Sequence, residues 1–93
     1  MKYNIRIRLM QMGLKVNEVA LLLREENPDD PVLSKLTPDK VYKATQDNYI
    51  GSERDRFIAY EVDKLVRELE KIYESDPCCN PIKVRRARWS KQT

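Results

Sequence analysis

Residues 52 to 77 read SERDRFIAYEVDKLVRELEKIYESDP, and Ile58, Val62, Leu65, Leu69 and Ile72 recur within them at spacings of four, three, four and three. That rhythm keeps one stripe of a helix apolar for more than two heptads. It predicts a helix from about Glu53 to Glu74, opened by Ser52 with Asp55 at capping-box spacing and stopped by Pro77. Phe57, Val66 and Tyr73 widen the stripe, while Glu61, Asp63, Lys64, Arg67, Glu68, Glu70 and Lys71 charge its flanks. So long an amphipathic helix must cover its stripe, against its own domain or against a second copy. The second covering would make Ile58, Val62, Leu65, Leu69 and Ile72 the seam of a homodimer.

Ninety-three residues allow one domain with a thin core, since 35% are charged and there is one Phe and one Trp. Only two glycines are present, too few for the turns of a strand-rich domain, so an all-α fold is expected. The N-terminal NIRIRLMQMG alternates like a strand at Tyr3, Ile5, Ile7 and Leu9, yet Ile5, Leu9 and Met12 also share a helix face. Helix is favoured, with Asn4 as cap and Gly13 as stop, because a lone strand has no partner. LKVNEVALLLREEN follows as a second helix with Val16, Val19, Ala20 and Leu23 on one side. NPDDPVLSK is a proline-broken loop in which Asp29 and Asp30 are expected to bond their own turn. LTPDKVYKATQD begins another helix, with Thr37 as cap and Pro38 at its first position. Only Val41 and Ala44 form its apolar stripe, and DNYIGS ends it. Residues 1–76 are expected to be the helical domain, and residues 77–93 a basic tail that is strand, arm or disorder.

Charge is unevenly spread. Residues 1–80 hold 13 basic and 15 acidic side chains, whereas residues 81–93 hold five basic ones and no acid. Residues 1–17 add Lys2, Arg6, Arg8 and Lys15, again with no acid. Two positive ends suggest a polyanionic partner.

Several functions lose their chemistry here. There is no His, so imidazole catalysis and the usual metal ligand are missing. No glycine-rich phosphate loop occurs. Cys78 and Cys79 stand alone as ordinary free thiols, half of a structural zinc site at most. The chain is therefore expected not to be an enzyme and to need no cofactor or metal. The longest apolar run, Val19–Leu23, is too short to span a bilayer, and Ile5-Arg6-Ile7-Arg8 interleaves charge where a secretion signal is apolar. A cytoplasmic protein is expected.

NIRIRLMQMGLKVNEVA resembles the opening of the phage Cro/repressor-like helix-turn-helix family: a basic amphipathic helix, a Gly13-Leu14 turn, then a second helix with small Ala20 where two helices approach. Thr37-Pro38-Asp39-Lys40-Val41-Tyr42-Lys43-Ala44 is similar to that family's recognition helix, and IGSERDRFIAYEVDKLV to its following segment. The resemblance covers about residues 4–66. It departs at Lys15-Val16, which replace a capping Thr-Gln, at Arg24, which replaces a turn glycine, and at the insertion ENPDDPVLSK.

The resemblance implies a helix-turn-helix-type bundle of four to five helices ending in a long amphipathic helix and a basic tail. It implies a DNA-binding transcriptional regulator that occupies an operator on double-stranded DNA, as a homodimer. Thr37 and Lys40 would then meet phosphates, Lys43 guanine and Gln46 adenine, while Asp39 would accept from cytosine or repel phosphate. Arg54 would extend that positive surface. Lys83, Arg85, Arg86, Arg88 and Lys91 would neutralise phosphates or enter a minor groove, with Trp89 stacking or anchoring the tail. The competing class is a small phage-type protein-interaction module, an inhibitor or adaptor of host machinery, working through the helical body.

Overall fold

The computed structural model describes residues 4–46 and 51–92, with side chains of the final helix described as far as Arg88. Helix α1 spans Ile5–Gln11 and buries Ile5 and Leu9. Ile7, which the strand alternation would have placed beside them, is exposed. Asn4 stands at the cap position in a left-handed conformation (φ 53°), and its side chain makes no cap bond. The helix closes on Gly13 at φ 72°, with the Leu14 amide donating back to the Leu9 carbonyl at 2.8 Å. That crossed-back bond is the Schellman closure, which favours glycine at this position.

Helix α2 spans Val16–Glu26 and buries Val16, Val19, Ala20, Leu22 and Leu23. Lys15 has no side-chain acceptor to cap it. Instead the Lys15 amide donates to the Glu18 carboxylate at 3.1 Å. The segment that follows is built into the core. Asp30 accepts from the Val32 and Leu33 amides at 2.8 and 2.9 Å, starting a 3₁₀ turn over Leu33–Lys35. Leu33 and Leu36 are buried completely.

Helix α3 spans Pro38–Ala44, capped by the Thr37 hydroxyl, which accepts from the Lys40 amide at 3.3 Å. Helix α4 spans Glu53–Ser75, and Ser52 caps it by accepting from the Asp55 amide. Helix α5 spans Pro81–Gln92. Asn80 caps it, accepting from the Ile82 and Lys83 amides at 3.0 and 3.3 Å, with Pro81 at the first position. The described residues are thus all-α, with α4 as the spine against which α1, α2, α3 and α5 pack.

Two sequence expectations change. Ile58, Val62, Leu65, Leu69 and Ile72 are all buried by the chain's own helices. The stripe is therefore a core face and not an open dimer seam; Phe57, expected to widen it, is exposed. Within the tail expected over 77–93, Pro81–Gln92 is an α-helix whose Pro81 and Ile82 are buried in the domain.

Candidate nucleic-acid interface

Helix α3 is held by a narrow contact. Val41 is 0% exposed, Ala44 is buried, and Leu36 anchors the approach. At 100° per residue this stripe turns Asp39 and Lys43 to the opposite side, with Lys40 on one flank and Tyr42 on the other, and Gln46 follows just past the end of the helix. All five are exposed. Of the expected base-reading pair, Lys43 is on the outward face of the helix, while Gln46 lies beyond its last residue.

On the Tyr42 flank, the Arg6 guanidinium of α1 lies 5.9 Å from the centre of the Tyr42 ring. Hollows of about 300 and 350 Å³ open on either side of this pair. Thr45 and Gln46 line the first, and Lys15, Asn17 and Pro38 line the second. On the other flank, Lys40 joins Lys35 of the 3₁₀ turn and Arg54 of α4 around a hollow of about 400 Å³. The Lys40 ammonium donates to the Lys35 carbonyl at 3.2 Å, which holds it over the turn. Among the described residues, no carboxylate lines any of these three hollows.

Five carboxylates are ion-paired on other parts of the domain. Arg8 pairs with Asp63 at 2.7 Å and with Glu70, tying α1 to α4. Arg85 pairs with Glu26 at 2.7 Å and with Glu68, tying α5 to α2 and α4. Arg86 pairs with Glu25 at 3.2 Å. Hydrogen bonds to Glu70 hold the Arg8 guanidinium above its ordinary pKa against the opposing effect of burial, with Asp63 adding to the rise. Bonds to Glu26 do the same for Arg85, with Glu68 adding to it. The hollows on that side mix both signs, with Glu26, Glu61 and Glu68 beside Lys64, Lys71, Arg85 and Arg88.

This distribution sorts the expected contacts. Lys40, Lys43, Gln46 and Arg54 gather around α3. Thr37 is there too, although its hydroxyl already accepts from the helix backbone. Arg85 and Arg86, expected to meet phosphates, are instead bonded to carboxylates of the same chain, because the tail folds back onto α2 and α4. Lys83 and Arg88 are exposed on α5, away from α3, and Arg88 shares its hollow with Glu68. The side chains of Trp89 and Lys91, and all of Asp47, Asn48, Tyr49 and Ile50, lie outside the described residues.

Arg6, Lys15, Lys35 and Tyr42 complete the face, and sequence reasoning does not assign them as contacts. The acid-free N-terminal stretch flags Arg6 and Lys15; nothing local flags Lys35 beside Arg54. Among the described residues, no cluster of three or more His, Cys, Asp or Glu side chains is placed to hold a metal. No helix among them is long and apolar enough to cross a membrane.

No family model, no curated protein and no solved structure matches this chain.

Proposed function

We propose that this chain binds double-stranded DNA through the α3 face and acts as a regulator by occupying its site. The observation that carries the reading is the pair of acid-free cationic flanks bracketing a helix whose outward side chains are polar. A helix laid in a major groove needs that arrangement: donors at its apex for base edges, and cations on both sides for the two phosphate ridges. Arg6 and Lys15 supply one side; Lys35, Lys40 and Arg54 supply the other. Lys43 on the outward face would suit guanine, and Gln46, just past the helix end, would suit adenine. Ion pairing within the domain engages Asp63, Glu70, Glu26, Glu68 and Glu25, while Asp39 stays exposed on the α3 face, where it suits cytosine.

The test is binding of a labelled random duplex at several salt concentrations. Salt-sensitive binding that weakens on alanine substitution of Arg6 or Lys40 supports the reading. No binding at low ionic strength ends it.

A second reading, a protein-interaction module, is favoured by one observation. Ile7 and Met10 on α1 are 57% and 70% exposed beside the Arg6 hollows. Substituting both with Ser would abolish docking of a protein partner and leave duplex binding in place. A second copy of the chain would have to dock on such a surface, since the α4 stripe is covered.

A further inference from the structure

Lys35, Lys40 and Arg54 come from three separate elements: the 3₁₀ turn, the first turn of α3 and the first turn of α4. They converge on one hollow of about 400 Å³ whose remaining walls are Pro31, Val32 and Ile58. Convergence of like charges over an apolar floor is unfavourable unless an anion fills the space between them. Asp39, Glu53 and Asp55 neighbour these cations in the chain, yet none of them lines the hollow. The Lys40 ammonium is fixed to the Lys35 carbonyl, so one of the three donors is already oriented before any ligand arrives.

We propose that this hollow is a binding site for a phosphate ester. The three cations would contact the phosphate oxygens, and Pro31, Val32 and Ile58 would cover the apolar face of the attached sugar. The connection between α2 and α3, residues 27–37, builds the site, because it supplies Lys35, Pro31 and Val32 and seats them with the buried Leu33 and Leu36. One chemistry serves two sources here, a free phosphate ester or a phosphate of the duplex backbone. The second source rests on the DNA-binding reading, and the first does not.

Both arms use the full chain. In the first, inorganic phosphate is titrated while the Lys35, Lys40 and Arg54 resonances are followed by NMR. Saturable shifts at these three residues, abolished in Lys35→Gln and kept in Lys71→Gln, are expected. In the second, the log–log salt slope of duplex binding is compared between the wild type and Lys35→Gln. Removing a single phosphate-neutralising cation lowers the slope by about 0.9.

Phosphate shifts together with the slope change support the site and its duplex ligand. Phosphate shifts with no slope change support the site, assign it to a free ester and overturn the duplex assignment. Absence of both overturns the site, even if the duplex still binds through the rest of α3. All three side chains reach the surface, so their variants are expected to fold, and circular dichroism checks this.

Discussion

The Arg6 guanidinium of α1 stacks over the Tyr42 ring of α3, 5.9 Å from its centre. The contact joins the acid-free N-terminal stretch to the flank of the proposed reading helix. It holds a cation on the side where one phosphate ridge would pass. Arg6→Ala is expected to weaken duplex binding about equally for all sequences and to lower the salt slope by about 0.9. Folding should lose only about 0.5–1 kcal/mol, the usual value of a surface cation–aromatic pair. Anisotropy titrations and urea denaturation give both numbers.

Gln46 is uncharged and exposed just past the C-terminal end of α3. Gln46→Ala should therefore change which sequence is preferred without changing the salt slope. A bidentate Gln–adenine contact is worth about 1–3 kcal/mol of discrimination. Selection from a random duplex pool, run for wild type and variant, should show that one preferred adenine disappears.

Arg85 should behave in the opposite way. It bonds Glu26, whose side chain is only 7% exposed, and Glu68. Arg85→Ala leaves Glu26 charged and without that partner, at an expected cost of about 2–4 kcal/mol in folding. The salt slope of duplex binding should stay at the wild-type value. A drop in slope would return the tail to the DNA interface.

The same ion pairs set an expectation for alkaline pH. The folded pKa values of Arg8 and Arg85 are raised, by hydrogen bonds to Glu70 and Glu26 respectively. A raised cationic group contributes its full stabilisation below its unfolded value and loses it only as pH passes the folded one. For arginine that window lies at extremely alkaline pH, above the group's ordinary value. Lysine normally titrates near 10.4, so an Arg85→Lys variant should lose its bond much earlier. The stability gap between wild type and Arg85→Lys should widen as pH rises above about 10.4. A constant gap would contradict the pairing.

Leu69 is buried within the chain by its own helices. Leu69→Ala is expected to cost about 2–5 kcal/mol, as cavity-forming substitutions do. Its unfolding midpoint should not depend on protein concentration, because the α4 stripe is closed within one chain. A concentration-dependent midpoint would revive the dimer seam.

How much of this could be read in the sequence depends on whether the signal was local. The heptad spacing of Ile58 to Ile72 identified α4 and its buried face, but spacing alone does not tell which partner covers a stripe. Thr37-Pro38 placed the start of α3, and Asp30 bonds its own turn as expected. Asn4 misled, since it takes a left-handed conformation and caps nothing. Helix α5 was missed because its basic residues lack an apolar period; carboxylates on α2 and α4 hold it. Asn80-Pro81 was the local sign, a cap followed by proline at the first position. The Arg6–Tyr42 contact and the Lys35–Lys40–Arg54 hollow exist only once α1, the 3₁₀ turn and α4 close around α3, so no spacing rule shows them.

The salt dependence of duplex binding tests the central claim most directly. Five flanking cations, Arg6, Lys15, Lys35, Lys40 and Arg54, predict a log–log slope of about −4.5, or roughly a 500-fold loss of affinity between 50 and 200 mM salt. Alanine at each should remove about 0.9 from that slope. Absence of binding at 50 mM salt, or a slope carried instead by Lys83 and Arg88, would contradict the account.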